Sequence, residues 1–193
     1  MVVIADPGDD PLLAPIPPAV LRGLAGGGHT ATVLDLHDEG FDPVMRAEQR
    51  RSYEEAGAAI PADIATHAAA VTSADGLVFV YPTWTSSIPA ILKGWLDRVL
   101  VPGVAFHLDR RSNRVRSDLR RFKVLGAVTV SEQPMSPRRR RPDTGRWTVT
   151  RTLRLLASWR CRTFWLSLDD ASNRSEAERN LFEAQVEVAM SRL

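Results

Sequence analysis

The sequence predicts an open α/β domain, in which helices cover both faces of a parallel β-sheet. Short apolar segments alternate with segments of helical periodicity along the 193 residues. Residues 76–81 (GLVFVY) form a continuous apolar run, which is typical of a parallel strand buried on both faces. No repeat, low-complexity linker or change of composition divides the chain, so we expect a single domain over residues 1–193.

Five segments have the composition of β-strands. The first, residues 1–5 (MVVIA), is apolar and β-branched and ends at a Pro-Gly-Asp-Asp turn. The other four cover residues 30–36, 76–81, 122–130 and 163–168. Right-handed crossovers between parallel strands leave few topologies, and among them we expect the strand order 2-1-3-4-5.

Helical patterns fill the intervals between these strands. Residues 17–25 begin with proline and are followed by three glycines, the arrangement expected of a short helix. Residues 61–73 and 148–158 are also predicted to be helical. Residues 43–60 are polar, and we expect them to be irregular or partly helical.

Two further helices have clearer signals. One begins near Ser87 and Pro89, and its apolar residues recur at the spacing of one buried helix face: Ile88, Ile91, Leu92, Trp95, Leu96, Val99 and Leu100. Ser175 and Glu178 form a capping-box pattern that opens the last helix. In sheets of the predicted order, ligands bind beyond the carboxyl ends of the strands. The loops at residues 6–16, 82–88 and 131–147 are therefore the candidate site.

The net charge of +2 conceals an uneven distribution. Residues 101–162 contain 16 basic and 4 acidic side chains, including the run Arg138–Arg141. This run could bind a nucleic acid or a phosphorylated cofactor, but a solvated surface loop is the interpretation that we favour. Nucleic acid is a poor candidate because aromatic residues do not alternate with the arginines.

Other signals set limits on location and chemistry. The chain has no apolar run long enough to span a membrane and no secretory leader, and its single Cys161 suits a reducing compartment, so we expect a cytoplasmic protein. The four histidines lack the spacing of metal ligands, so we expect no metal site. His107 could lie at the rim of the site, although a surface or structural histidine is the alternative that we favour.

Residues 81–106 (YPTWTSSIPAILKGWLDRVLVPGVAF) resemble the central segment of the NAD(P)H:quinone oxidoreductases, a flavodoxin-like family. Residues 40–53 (GFDPVMRAEQRRSY) and the AERNLF run near the end resemble it too. The resemblance implies a flavodoxin-like three-layer sandwich and a homodimer with FMN or FAD bound non-covalently. It also implies ping-pong hydride transfer from NAD(P)H through the flavin to a quinone or other planar aromatic acceptor.

The same resemblance implies which residues hold the flavin. Five of them lie in the loop after the third strand: Pro82, Thr83, Trp84, Thr85 and Ser86. Thr85 and Ser86 replace the bulky aromatic residues that are usual in the family. Ser131 and Glu132, after the fourth strand, replace part of a glycine-rich run. Arg138 and Thr144 fall near the family's Tyr and His, so no catalytic acid is assigned.

The loop after the first strand departs furthest from the family pattern. Asp6 and Pro11 replace a His and a Ser that help to hold phosphate, and Asp9 and Asp10 add two carboxylates. Asp9 and Asp10 could form an acid/base pair, or more simply could shape a turn. Two hypotheses therefore stay open: a flavin-dependent NAD(P)H oxidoreductase, or a flavodoxin-like protein without flavin. The second would bind an aromatic metabolite or a partner, or catalyse a redox-neutral step with Asp or Glu.

Overall fold

A five-stranded parallel sheet forms the centre of the computed structural model, which describes residues 1–8, 10–52, 59–109, 111–112, 114–132 and 143–193. The sheet strands are β1 (Val2–Ile4), β2 (Val33–Asp35), β3 (Gly76–Pro82), β6 (Val124–Ser131) and β7 (Arg162–Asp169). They lie in the order β2-β1-β3-β6-β7. One row of paired residues crosses four of them: Val3, Phe79, Ala127 and Trp165.

The predicted class and the relative order of the sheet strands are confirmed. The labels of the last two strands differ because an antiparallel hairpin, β4 (Phe106–Asp109) with β5 (Arg114–Ser117), intervenes after β3. The sequence analysis did not predict this hairpin. Most of its residues are exposed or only partly buried, so it lacks the apolar pattern by which the sheet strands were found.

Helices cover both faces of the sheet. Helices α1 (Ile16–Gly26) and α6 (Glu176–Met190) pack on one face, where their apolar residues join those of β1 and β3 in one core. They approach closely at Gly23, where a Cβ would lie 2.3 Å from the Glu187 carbonyl oxygen. Helices α3 (Ala65–Ser73) and α4 (Ala90–Val99) pack on the other face. The core is therefore split into two layers by the sheet, as the continuous apolar β3 predicts.

Several helices differ in detail from the predicted segments. The predicted helix at residues 61–73 begins with the 3-10 turn Ala62–Ile64, and residues 43–60 include the short helix α2 (Ala47–Ser52). The predicted helix at 148–158 is part of a longer irregular segment, which comprises α5 (Thr144–Trp147), a π-helical turn (Thr148–Thr152) and a 3-10 turn (Leu153–Leu155).

Threonines explain this irregular segment. The hydroxyl of Thr148 donates to the carbonyl oxygen of Thr144 at 2.8 Å, and that of Thr150 donates to Arg146 at 2.8 Å. Such bonds compete with the regular backbone pattern of an α-helix. The capping box is present as predicted, since the amide of Glu178 donates to the Ser175 hydroxyl and the Ser175 amide to the Glu178 carboxylate.

A buried arginine ties the segment after β2 to the rest of the molecule. Arg98, on α4, is 3% exposed. Its guanidinium donates to the Asp42 carbonyl oxygen, to Gln49 Oε1 at 2.8 Å and to Asp63 Oδ2 at 2.5 Å. Arg98 therefore joins three described points of the chain between β2 and α3 to α4. Nowhere in the described part of the chain is a helix both long and apolar enough to cross a membrane.

Candidate functional site

The candidate site lies at the carboxyl edge of the sheet, where β1 and β3 are neighbours and the chain leaves them in opposite directions. In open α/β sheets this switch point is where ligands bind. Three segments border it: the loop after β1, the loop between β3 and α4, and the segment after β6 up to Glu132. Residues 133–142, which include Arg138–Arg141, lie outside the described residues.

The loop after β3 is built around a tight turn at Trp84–Ser87. The amide of Trp84 donates to the Ser87 carbonyl oxygen at 3.2 Å, and the amide of Ser87 donates to the Trp84 carbonyl oxygen at 3.0 Å. The central residues Thr85 and Ser86 have φ angles of 51° and 58°. Positive φ at both central positions is the requirement of a type I′ turn, which normally selects Asn and Gly. A β-branched threonine there is strained, and such strain is concentrated at functional sites.

This turn presents unused donors. The amides of Trp84 and Ser87 are consumed by the turn, but those of Thr85 and Ser86 make no hydrogen bond to any residue that the structure describes. The Trp84 side chain is 51% exposed beside them. The turn therefore offers two backbone N–H groups and one indole face to a planar ligand with hydrogen-bond acceptors.

Neighbouring elements fix the turn on both sides. Thr83 donates its amide to the Val130 carbonyl oxygen at 2.8 Å, and its hydroxyl lies 2.5 Å from that of Thr129. On the other side, the amide and hydroxyl of Thr144 both donate to the Ser86 carbonyl oxygen, at 2.9 and 3.0 Å. Helix α5 thus holds the turn against the end of β6, so that its free donors are preorganised.

A buried tyrosine lies beneath this contact. Tyr81, on β3, is fully buried, and its hydroxyl has no hydrogen-bond partner among the described residues. Burial, and secondly the nearby Asp143, raise the pKa of Tyr81, so the hydroxyl stays protonated and can donate. A Cβ at Gly145 would lie 2.9 Å from this hydroxyl and 3.1 Å from Asp143 Oδ1. Gly145 is therefore required for α5 to pack here.

Asp143 is the second ionisable group under the turn. Its Oδ1 accepts from the amide of Arg146 at 2.9 Å and so caps the start of α5. Burial raises the pKa of Asp143, and the nearby Asp169 adds to the rise, while the amides of Arg146 and Gly145 oppose it. The region beneath the turn therefore combines a half-buried carboxyl with a buried hydroxyl, and both groups are largely shielded from water.

The structure places the predicted site residues along two neighbouring strand ends. Pro82 ends β3 and pairs with Val130 on β6, and Thr83–Ser86 follow directly. Ser131 ends β6, where it is buried, and Glu132 is exposed just beyond it. The assignment of these seven residues to a cofactor stays a prediction. The sequence analysis missed Tyr81, Asp143 and Gly145, although an Asp followed by Thr-Gly before an apolar pattern is a helix-start signal.

His107 and Cys161 supply neither a metal site nor an activated nucleophile. Across the described ranges, no group of three or more His, Cys, Asp or Glu side chains is placed to hold a metal ion. His107 lies on the β4–β5 hairpin and contacts Asp118, with Nδ1 to Oδ1 at 2.8 Å. Cys161 is 3% exposed, and burial raises the pKa of its thiol, so it is not an activated nucleophile.

The loop after β1 differs from the turn in character. The side chain of Asp6 is buried just beyond β1, where its Oδ1 accepts from the amide of Gly8 at 3.3 Å. Asp10 shapes the loop by accepting the amide of Leu12 at 2.9 Å. Burial raises the pKa of Asp6 and the carboxylates of Asp10 and Asp35 contribute, while the Gly8 amide and His37 lower it. Asp9 lies outside the described residues.

Comparison with known proteins identifies relatives over most of the chain. The family model described as "Flavodoxin-like fold" matches residues 16–184. Human ribosyldihydronicotinamide dehydrogenase [quinone] is 41% identical over 44% of this chain and 43% of its own length. An uncharacterized NAD(P)H oxidoreductase of Escherichia coli K12 is 32% identical over 54% of each chain. The chain spans about half or less of these curated relatives.

Solved structures show the same architecture over the full chain. The protein Smu.1420 of Streptococcus mutans UA159 superposes with a TM-score of 0.81 at 26% identity, covering 100% of both chains. An NAD(P)H:quinone oxidoreductase from Methanothermobacter marburgensis superposes with a TM-score of 0.76 at 22% identity, covering 99% of this chain and 94% of the other. At the latter identity, the likeness establishes the shared fold.

Proposed function

From its membership of the flavodoxin-like fold family, we propose that this chain is a flavin-dependent NAD(P)H oxidoreductase that reduces a quinone or another planar aromatic acceptor. The observation that carries the proposal is the strained turn at Trp84–Ser87, which leaves two backbone donors and an exposed indole at the switch point. The names of the curated relatives, NAD(P)H oxidoreductases and quinone dehydrogenases, support the same reaction class.

The residues present fit the ring system of a flavin. An isoalloxazine has carbonyl and ring-nitrogen acceptors on one edge and flat faces, which match the Thr85 and Ser86 amides and the Trp84 side chain. When bound, the flavin supplies the two-electron chemistry between NAD(P)H and the acceptor. The protein contributes orientation. Because β3, β6 and α5 hold the turn rigidly, aligning the flavin with a second flat ring, the nicotinamide or the acceptor, costs less entropy.

The second hypothesis, a flavodoxin-like protein that has lost its flavin, is favoured by one observation. The loop after β1 places the buried carboxyl of Asp6 where members of this fold class bind phosphate. Such a protein would use the same turn to bind an aromatic metabolite or partner. Retention of any flavin by the purified protein would decide between the two hypotheses.

A homodimer forms part of the proposal. Large apolar side chains are exposed on two adjoining parts of the chain, the β4–β5 hairpin and the segment from α5 to the start of β7: Leu108, Val115, Trp147, Leu155 and Trp159. The two elements are joined because the Ser117 hydroxyl donates to the Leu156 carbonyl oxygen. Apolar residues grouped in this way mark interaction surfaces. Light scattering of the unchanged chain and of Leu155→Glu tests the homodimer. We expect the unchanged chain to be a dimer and Leu155→Glu to be a monomer. A monomeric unchanged chain would contradict the proposal.

The decisive experiment is a visible absorption spectrum of the purified full chain, before and after incubation with riboflavin, FMN or FAD and ultrafiltration. We expect a retained yellow chromophore that NADH or NADPH bleaches without oxygen and that a quinone restores. Trp84→Leu should weaken flavin binding about tenfold through lost stacking. Leu181→Ala, an exposed apolar site on α6, is the control that should leave binding unchanged. Failure to retain every flavin would overturn the proposal.

A further inference from the structure

The start of the helix after β1 offers no free backbone donor to a phosphate over residues 11–19. Earlier in the loop, the amides of Asp6 and Asp10 make no hydrogen bond to any residue that the structure describes. In doubly wound sheets, a phosphate binds to the free amides at the start of the helix after β1. Here, Asp10 accepts the amides of Leu12, Leu13 and Ala14, through its side chain for the first and its carbonyl oxygen for the other two, and Leu13 accepts that of Ile16 at 2.8 Å. The remaining positions at this helix start are prolines, which have no N–H group: Pro11, Pro15, Pro17 and Pro18.

The charges at this loop also oppose an anion. The Asp6 carboxyl is 8% exposed at the end of β1. The titratable groups that influence it are Asp10 on the same loop, and Asp35 and His37 at the end of β2. The carboxyl of Asp6 and its two neighbouring carboxylates outnumber the single imidazole, so this position disfavours an anion. A phosphate dianion placed beside these carboxylates would be repelled.

The turn after β3 keeps two amides free, whereas the start of the helix after β1 has no free amide over residues 11–19. We propose that the chain takes a flavin ring that carries an uncharged tail, so that it binds riboflavin in preference to FMN or FAD, and that Asp6 is a residue that sets this preference. The inference rests on the proposed function, because it concerns the form of flavin that the same site accepts. A ribityl hydroxyl is an uncharged group that can donate a hydrogen bond to a carboxylate, which a phosphate dianion cannot do.

The test is a titration of the full chain with riboflavin, FMN and FAD at pH 7.5, followed by flavin fluorescence and by ultrafiltration. We expect the Kd for riboflavin to be at least tenfold lower than that for FMN. Asp6→Asn should lower the Kd for FMN about tenfold, equivalent to about 1.4 kcal/mol, and leave that for riboflavin within about twofold. Asn keeps an acceptor for the Gly8 amide, so the loop should hold its shape.

Two further variants sharpen the experiment. Asp75→Asn removes an exposed carboxylate at the opposite, amino edge of β3, so the ratio of the two Kd values should not change. Pro18→Ala, at an exposed position, returns one N–H group to the start of α1 and should strengthen FMN binding by less than Asp6→Asn does.

Each outcome has a distinct meaning. If FMN binds as tightly as riboflavin, the inference is overturned while the proposed function stands. If riboflavin is preferred but neither Asp6→Asn nor Pro18→Ala changes the ratio, this loop does not set the preference, and the inference is again overturned. If none of the three flavins binds, the inference and the proposed function fail together.

Discussion

The loops after β1 and β3 leave the same edge of the same sheet, yet they use their backbone amides in opposite ways. The turn after β3 holds Thr85 and Ser86 at positive φ and keeps their amides available. The start of the helix after β1 has only prolines and amides that are already bonded over residues 11–19. The turn thus keeps free donors in a fixed geometry, and the helix start does not.

This difference shows that the fold and the ligand contacts depend on different residues. The sheet order and the position of the switch point depend on apolar strands and helix packing, which both loops leave intact. Binding depends on a few donors and charges in loops, which can change without altering the core. The ring site and the phosphate site must therefore be judged separately.

The largest effect is expected from Gly145→Ala. The added Cβ would meet the Tyr81 hydroxyl at 2.9 Å and Asp143 Oδ1 at 3.1 Å, so α5 must shift away from the turn. Overpacking of this kind lowers the free energy of unfolding by about 1–3 kcal/mol, and the loss of support should weaken flavin binding at least tenfold. Urea denaturation and flavin titration measure the two effects.

Gly26→Ala is the matched control for that variant. A Cβ at Gly26, the last residue of α1, meets no atom within 4 Å. Its free energy of unfolding should stay within about 0.5 kcal/mol of the unchanged chain. If Gly145→Ala were equally harmless, α5 would not be what supports the turn.

A smaller effect, of opposite sign, is expected at the strained turn itself. Thr85→Gly should raise the free energy of unfolding by about 0.5 kcal/mol, because the relief of a left-handed conformation exceeds the entropic penalty of glycine. Flavin binding should nevertheless weaken, since the turn becomes less rigid. Gly40→Ala is the reverse substitution, because Gly40 has a φ of 61° and a Cβ there would meet no atom within 4 Å. We expect Gly40→Ala to lower the free energy of unfolding by about 1 kcal/mol, as measured by thermal unfolding. A destabilised Thr85→Gly would contradict the assignment of strain.

The smallest effect concerns the loop after β1 and depends on pH. Because burial raises the pKa of Asp6 in the folded state, ionised Asp6 destabilises the fold at neutral pH. The unchanged chain should gain stability as the pH falls through the raised pKa toward the ordinary value of about 3.9. Asp6→Asn should therefore be the more stable protein at pH 7, and its advantage should shrink on acidification. The measurement is the denaturation midpoint of both proteins from pH 7 to pH 4. A difference in midpoint that does not change with pH would contradict the assignment to Asp6.

The sequence was sufficient for those features that local pattern determines. The five sheet strands, the apolar face of α4 and the Ser175–Glu178 capping box follow from periodicity and capping chemistry, and the structure confirms them. The position of the candidate site followed from strand order alone. The lack of free amides at the start of α1 was partly visible as the prolines at positions 11, 15, 17 and 18.

The remaining features depend on contacts between distant parts of the chain. Tyr81 and Gly145 are 64 positions apart in the sequence. Only the folded structure shows that the Tyr81 hydroxyl leaves no room for a side chain at Gly145. Positive φ at Thr85 and Ser86 contradicts residue preference, so no propensity argument could predict it. The β4–β5 hairpin was missed because it buries too little apolar surface to leave a pattern.

The buried Arg98 has a consequence for how the chain folds. Its partners Asp42, Gln49 and Asp63 all precede it, and Asp63 is 35 positions earlier. Because these contacts come from α4, Asp42, Gln49 and Asp63 can make them only once α4 has docked on the sheet. We expect these three contacts to form late on the folding pathway, and the amide protons of these residues to exchange through local opening.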